Sequence, residues 1–116
     1  FHLRNLSDEM IRQLAERGGV TGINFCPSFL REEEPAAKKA STMDMVRHMK
    51  YLRNVGGIDI IGLGTDFDGF SGETDVPDTA HMQHLADVMS HEGFTDEEIE
   101  KVFSKNVLRV FRECWK

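Results

Sequence analysis

Two aspartates that follow an apolar run are the side chains of this sequence best placed to do chemistry. Asp66 comes after the run 60–64 (IIGLG) and Thr65, and Asp68 lies two residues further on. A carboxylate at the carboxyl end of a buried strand can act as a general acid or base, a metal ligand or a nucleophile. The glycines of the run allow a ligand or another backbone segment to approach closely. A simple turn held by Asx hydrogen bonds explains the same spacing equally well.

Three familiar motifs contain similar residues but do not match this segment. An EF-hand loop that begins at Asp66 needs an oxygen ligand at position five, glycine at six and glutamate at twelve. The sequence has Phe70, Ser71 and Pro77 there. A dinucleotide-binding fingerprint that begins at Gly62 lacks its third glycine.

The third motif is the Asp-x-Asp-x-Thr pattern of aspartate-nucleophile phosphatases. The segment follows it from Asp66 through Asp68, but Phe70 stands in place of the threonine. The motif also falls past the middle of the chain, whereas those phosphatases carry it near the start of their domain. A phosphatase with Asp66 as nucleophile is therefore kept only as an alternative.

The histidines and cysteines form no recognisable metal-binding or nucleophilic pattern. His81 and His84 lie three residues apart on a predicted helix, but no third ligand joins them in a motif such as HExxH. A polar helix face is the simpler interpretation. Cys26 and Cys114 are far apart in sequence, so they make neither a disulfide framework nor a CxxC site. A reducing, cytoplasmic compartment is expected.

The apolar pattern predicts helices and strands in alternation. Helices are predicted at 8–17, 42–55, 79–91 and from 95 to about 113, strands at 20–25 and 58–65, and a long loop at 26–40. Ser7, Ser41 and Thr95 are predicted N-caps, the last two in capping boxes with Asp44 and Glu98. The last helix is expected to be interrupted near residue 104.

Strands separated by helical crossovers are expected to pair in parallel. Two strands do not make an independently stable sheet. The chain is therefore predicted to be α/β, with βα units of an incomplete (β/α)8 TIM barrel, a fold that needs about 250 residues when complete. Reacting groups in such barrels project from the carboxyl ends of the strands. This rule selects Asn24 and Cys26 after the first strand and Asp66 after the second.

The composition excludes some partners. The chain is acidic, with a net charge of -6, and has no basic stripe. No nucleic-acid partner is therefore expected, and anionic membrane surfaces are disfavoured. No run approaches the roughly 20 apolar residues of a transmembrane helix.

Four segments resemble the zinc-dependent membrane (renal) dipeptidase family. They are 4–9 (RNLSDE), 23–25 (INF), 62–69 (GLGTDFDG) and 106–111 (NVLRVF). One such segment would be weak evidence, but the four occur in family order and span nearly the whole chain. The resemblance identifies residues 1–116 as the C-terminal part of a single dipeptidase barrel domain.

The resemblance implies hydrolysis of dipeptides at a two-zinc site. It places the zinc ligands before Phe1, so the chain by itself is expected to lack metal ligands and to be inactive. Arg4 matches the arginine that binds the carboxylate of the substrate, a group that a guanidinium can hold at two points. Asp66 matches the acid/base aspartate, which would move protons around the tetrahedral intermediate of peptide hydrolysis.

The sequence also departs from the family pattern. Residues 26–29 (CPSF) stand where an animal member has tyrosine and asparagine side chains near the substrate, which leaves the side-chain preference of the pocket open. No lipid-anchored tail follows Phe111, which favours a soluble protein. A homo-oligomer, or association with the missing half of the barrel, is expected. A non-catalytic half-barrel that serves in binding or assembly is the second alternative.

Overall fold

The computed structural model describes residues 5–24, 39–65, 73–74 and 78–115. The helices are α1 (Asp8–Glu16), α2 (Thr42–Gly56), α3 (Met82–His91), α4 (Asp96–Glu100) and α5 (Asn106–Cys114). The strands are β1 (Thr21–Ile23), β2 (Lys39–Ala40), β3 (Ile61–Leu63) and β4 (Glu73–Thr74). Short 3₁₀ turns, Ile58–Ile60 and Thr79–His81, precede β3 and α3, and a π-helical turn, Lys101–Lys105, joins α4 to α5.

Three of the four predicted helix starts are confirmed by their caps, whereas the predicted helix 79–91 is wrong at its start, where residues 79–81 form a 3₁₀ turn. The hydroxyl of Ser7 accepts a hydrogen bond from the backbone N–H of Met10 at 3.3 Å. Capping boxes are formed by Ser41 with Asp44 and by Thr95 with Glu98. Each cap satisfies backbone donors that the first turn of a helix leaves without an acceptor. The predicted interruption near residue 104 corresponds to the π-helical turn.

The predicted parallel pairing is confirmed for β1 and β3, with Thr21 opposite Ile61 and Ile23 opposite Leu63. The predicted strand 58–65 is wrong at its start, because residues 58–60 form a 3₁₀ turn in which Ile61 N–H is bonded to the carbonyl of Ile58. The predicted loop 26–40 is likewise wrong at its end. Strand β2 lies there and pairs in parallel with β4. Two-residue strands carry no periodic sequence signal, which is why they were not predicted.

Helices α1 and α2 run side by side in the same direction. The hydroxyl of Tyr51 bonds to the carboxylate of Asp8, at the start of α1. Further along both helices, Gly56 packs against Ile11, since a Cβ at Gly56 would lie 2.9 Å from the Cγ2 atom of Ile11. Each helix leads through a short connection to the amino end of a strand. Both helices therefore return the chain from the carboxyl edge of the strands to their amino edge, as in βα units.

The core lies between these helices and the inward face of the strands. The predicted methionine stripe of α2 is part of it, because Met45 and Met49 are fully buried. The other fully or nearly fully buried apolar side chains come from every helix except α4 and α5, from β1 and β3, and from the turns: Ile11, Ile23, Val46, Leu52, Ile60, Ile61, Leu85, Met89, Phe94 and Val102. One continuous core thus holds the strands against the helices. No helix in the described ranges is long and apolar enough to cross a bilayer.

Ion pairs connect α2 to the segment that follows α3. The ammonium group of Lys50 lies 2.9 Å from the carboxylate of Glu92. The guanidinium of Arg53 lies 3.5 Å from the carboxylate of Glu98 and stacks over the ring of Phe94, 4.2 Å from its centroid. Arg53 thereby combines a charge pair with an aromatic contact at the same turn.

The Lys50–Glu92 pair predicts a pH dependence of stability. The hydrogen bond from Lys50 lowers the pKa of Glu92 below its ordinary value. The folded-state pKa is below the unfolded one, so the contribution is present above the ordinary glutamate pKa and is lost as the pH falls through the folded value. In the complete natural protein, Glu92→Gln should lower the unfolding temperature at neutral pH, and the difference from wild type should shrink in acid. Thermal unfolding between about pH 3 and pH 7 measures this. Glu16→Gln, an exposed change at the end of α1, is the control, and an equal pH dependence in both variants would contradict the prediction.

Candidate active site at the carboxyl ends of the strands

The carboxyl ends of β1 and β3 lie side by side. Ile23 is opposite Leu63, and the backbone N–H of Gly64 donates to the carbonyl of Ile23 at 3.1 Å. Asn24 is the next residue after β1, and Thr65 follows Gly64. The structure therefore brings together the two chain positions that the sequence singled out, the exits of its two longer strands.

A direct contact between two glycines fixes how closely these exits approach. A Cβ at Gly22 would lie 2.8 Å from the backbone nitrogen of Gly64, and a Cβ at Gly64 would lie 3.3 Å from the Cα of Gly22. Backbone atoms exclude a side chain at Gly22, and a Cβ at Gly64 would make a tight contact with backbone. The sequence predicted that a ligand or another backbone segment approaches the glycines of this run closely, and at Gly64 it is another backbone segment that does so. At Gly62, it is the side chain of Val107, 3.1 Å from where a Cβ would be.

This contact predicts a cost for the smallest possible side chain. Gly22→Ala should lower the free energy of unfolding of the complete protein by about 1–3 kcal/mol, because backbone atoms must move to admit the methyl group. Gly19→Ala is the matched control, since its Cβ would meet Cδ1 of Leu14, the far end of a flexible side chain. Urea unfolding at constant m-value measures both changes. Equal effects of the two substitutions would show that the backbone contact is unimportant.

Both residues predicted to do chemistry lie outside the described residues. Asp66 is the residue after Thr65, and Arg4 is the residue before Asn5. Cys26, predicted to follow the first strand, also lies outside. Of the three strand-end positions only Asn24 is described, and it is partly buried at the edge formed by β1 and β3. The roles of Arg4 and Asp66 stay predictions.

The order of elements relates the described neighbours of these two residues, Asn5 and Thr65. Thr65 is at the carboxyl edge of the strands. Asn5 precedes α1, whose carboxyl end leads to the amino end of β1. The start of α1 therefore faces the side on which the strands end. The order of elements thus agrees with a site that draws on both chain positions.

The opposite edge is held by two polar side chains of α5 that sequence reasoning did not single out individually. Asn106, only 1% exposed, donates from Nδ2 to the carbonyls of Ile58 and Ile61, both at 2.8 Å. Arg109 donates from its guanidinium to the carbonyls of Gly18 and Asp59, both at 3.1 Å. An asparagine at a core position of an amphipathic helix was the available signal, because a buried amide needs partners.

The described residues do not fit a metal site. Among residues 5–24, 39–65, 73–74 and 78–115, no group of three or more His, Cys, Asp or Glu side chains could hold a metal ion. His81 instead pairs with Asp78, with 2.6 Å between Nδ1 and the carboxylate, and this hydrogen bond lowers the pKa of Asp78. Both side chains are more than half exposed, and His84 is exposed as well. This agrees with the polar helix face predicted for the two histidines.

Comparison with solved structures defines the class of fold. The chain superposes on a dipeptidase described as a metallo peptidase with a TM-score of 0.88 and 28% identity, over 97% of this chain and 32% of the other. It superposes on a metallo peptidase from Rhodobacter sphaeroides, liganded with a phosphinate mimic of the dipeptide L-Ala-D-Ala, with a TM-score of 0.86 and 28% identity, over 94% and 31% of the two chains. These are TIM-barrel enzymes. The prediction of an incomplete (β/α)8 barrel is confirmed.

Sequence comparison identifies the family. The chain is 33% identical over 113 residues to the dipeptidase tcpJ of Claviceps purpurea, which covers 97% of this chain and 26% of that protein. The sequence model of the membrane dipeptidases, peptidase family M19, matches residues 1–115. The chain therefore belongs to the M19 membrane dipeptidase family, as its four motifs predicted. It spans between 26% and 41% of the length of the curated relatives it matches.

Proposed function

We propose that the complete natural protein is a metal-dependent dipeptidase to which this chain contributes a substrate-binding arginine, Arg4, and an acid/base aspartate, Asp66. The observation that carries the proposal is the match of the M19 family over residues 1–115, which include both positions. The parallel pairing of β1 with β3 supports it, because Thr65, next to Asp66, stands at the edge where such barrels hold their reacting groups.

Arg4 would hold the carboxylate at the C-terminal end of a dipeptide. A guanidinium offers a rigid pair of N–H donors that matches the two oxygens of a carboxylate. This interaction would orient the peptide bond and select substrates with a free carboxyl group. The substrate class that follows is dipeptides, in agreement with the dipeptide mimic bound to the similar enzyme from Rhodobacter sphaeroides.

Asp66 would transfer protons as the peptide bond is broken. A carboxylate at this position can accept a proton from the attacking water and deliver it to the nitrogen of the departing amino acid. The adjacent backbone supports such a role. The backbone of Gly64 is held by its hydrogen bond to Ile23, which fixes the chain two residues before Asp66.

The metal of the proposed enzyme is zinc. Its ligands would have to come from outside the described residues, because the described ones do not fit. The 116-residue chain by itself is accordingly proposed to be inactive, and the complete protein is proposed to work in the cytoplasm. The remaining part of the barrel is proposed as the partner of this chain.

The test is an assay of the complete natural protein. Hydrolysis of L-Ala-L-Ala, L-Ala-D-Ala and the C-terminal amide of each is measured as purified, after metal removal by a chelator and after addition of zinc. The proposal expects both free dipeptides or one of them to be cleaved, the amides to be cleaved much more slowly, and activity to return with zinc. Absence of cleavage of any dipeptide in the zinc-loaded protein would refute it.

A second candidate function, as an assembly module, is favoured by the exposed apolar side chains of α5 and of Trp115, the residue that follows it. Leu108, Phe111 and Trp115 are 46%, 54% and 82% exposed. An exposed apolar patch of this kind is typical of a surface that binds another protein. For a module that acts apart from a complete barrel, a second copy of this chain is the proposed occupant. Sedimentation of the isolated 116-residue chain distinguishes the cases: self-association supports the module, and a cooperatively folding monomer contradicts it.

A further inference from the structure

We propose that Asn106, supported by Arg109, is a positioning residue for the candidate active site, acting from the opposite end of the strands. The proposal rests on the proposed dipeptidase function. In this proposal, α5 fixes the positions at which β1 and β3 begin. Because the strands are short, α5 thereby also fixes the positions of their carboxyl ends. Asn106 would not touch the substrate.

Asn106 binds the entry to β3 at two points. Both hydrogens of one amide nitrogen are directed at backbone carbonyls, those of Ile58 and Ile61, at 2.8 Å each. Ile58 opens the 3₁₀ turn and Ile61 opens the strand. The amide therefore fixes the turn and the strand relative to each other. With Asn106 and Ile61 both inaccessible to solvent, water does not readily replace the bond between them.

Arg109 connects the entry of β3 to that of β1. One guanidinium nitrogen of Arg109 donates to the carbonyl of Gly18, before β1, and to the carbonyl of Asp59, before β3. The other lies 3.5 Å from the side-chain oxygen of Asn106, at the limit of hydrogen-bond distance. A single helix thus holds the approaches to both strands. These contacts fix the position of β1 relative to β3 along the strand direction.

Only a short strand separates these contacts from the candidate site. Strand β3 has three residues, and Gly64 directly beyond it bonds to the carbonyl of Ile23. Three extended residues span only about 10 Å. A displacement of Ile61 along the strand is therefore passed on to Gly64 and Thr65 with little chain in between to absorb it. Catalysis is sensitive to such shifts, since a misplacement of about 1 Å can reduce a rate 100-fold.

The π-helical turn explains how Asn106 reaches its place. Residues 101–105 form this turn immediately before α5, and both Val102 within the turn and Asn106 directly after it are buried. Because a π turn holds an extra residue, it changes the direction in which the following side chains project. Turns of this kind are frequent near functional sites. Here the following side chain is the one that holds the strand.

The variant that isolates this contact is Asn106→Asp, which keeps the shape and replaces two donors by a carboxylate that faces two carbonyl oxygens. Two properties of the complete protein are measured: kcat and KM for dipeptide hydrolysis, and hydrogen exchange of the Gly64 amide. We expect kcat to fall about 10- to 100-fold with KM changed less than about 2-fold, and Gly64 exchange to become faster. Arg109→Lys should show the same changes to a smaller extent.

Met49→Ala is the control for a loss of stability alone, because Met49 is fully buried in the core and the side-chain hydrogen bonds to the strand entries come from Asn106 and Arg109. It should leave kcat and the exchange of Gly64 close to wild type under conditions where both variants are folded. If Asn106→Asp and Met49→Ala reduce kcat equally, or if Gly64 exchange is unchanged in Asn106→Asp, the positioning role is refuted.

The failure of the proposed function gives a different result. If the wild-type protein cleaves no dipeptide, the dipeptidase proposal fails, and the Gly64 amide alone decides on the positioning role. Faster exchange in Asn106→Asp but not in Met49→Ala would then support a hold on the strand exits. Unchanged exchange would overturn it.

Discussion

Asp66→Asn is expected to lower kcat for dipeptide hydrolysis by the complete protein about 10²- to 10⁴-fold, the usual contribution of a general acid or base, with little change in KM. The amide has nearly the shape of the carboxylate but does not take up and release a proton. Substrate binding through Arg4 should persist. The measurement is steady-state kinetics on the zinc-loaded protein with the best dipeptide found.

Asp68→Asn is the matched control for this prediction. It makes the same chemical change two residues away, in a residue that the family pattern does not assign to proton transfer. Its effect on kcat should be much smaller. If Asp68→Asn is as harmful as Asp66→Asn, the loss reflects the structure of the loop, and if Asp66→Asn retains near-normal kcat, the acid/base role is wrong.

Arg4→Gln is expected to reduce kcat/KM for dipeptides by the equivalent of about 2–5 kcal/mol, the cost of removing one partner of a desolvated charge pair. The loss should fall largely on KM if the arginine binds substrate and transition state alike. Arg4→Lys should recover only part of it, because an ammonium does not offer the two-point geometry. Arg12→Gln, a change at an exposed position of α1, is the control.

A comparison of substrates makes this prediction specific. The wild-type protein should prefer a dipeptide to its C-terminal amide, and Arg4→Gln should lose most of that preference. The preference is a difference between two rates in the same protein, so a general loss of activity does not imitate it. A variant that keeps the full preference would show that another group binds the carboxylate.

The helices were predictable because their signals are local. The N-caps Ser7, Ser41 and Thr95 and the capping-box partners Asp44 and Glu98 act within one turn, and all are seen as predicted. The parallel pairing of β1 with β3 also followed from local reasoning. The helix between them returns the chain to the amino edge, so the second strand runs in the same direction as the first. The family was recognisable because its motifs keep their order along the chain.

The parts that were wrong depend on contacts that are distant in sequence. Residues 58–60 look like strand, being apolar at alternate positions, yet they form a 3₁₀ turn. Asn106, 48 residues away from Ile58, donates a hydrogen bond to the carbonyl of that residue. The pair β2–β4 depends in the same way on a partner more than thirty residues off, with Lys39 opposite Glu73. No window of neighbouring residues contains this information.

The sequence by itself determined the helices, the parallel βα order, the family and the two residues proposed to do chemistry. Only the tertiary structure decided that the exits of β1 and β3 meet at a glycine contact, and that Asn106 and Arg109 hold their entries. The physical reason is that caps and apolar periodicity act over a few residues, whereas a buried amide satisfies whichever carbonyls the folded chain brings to it.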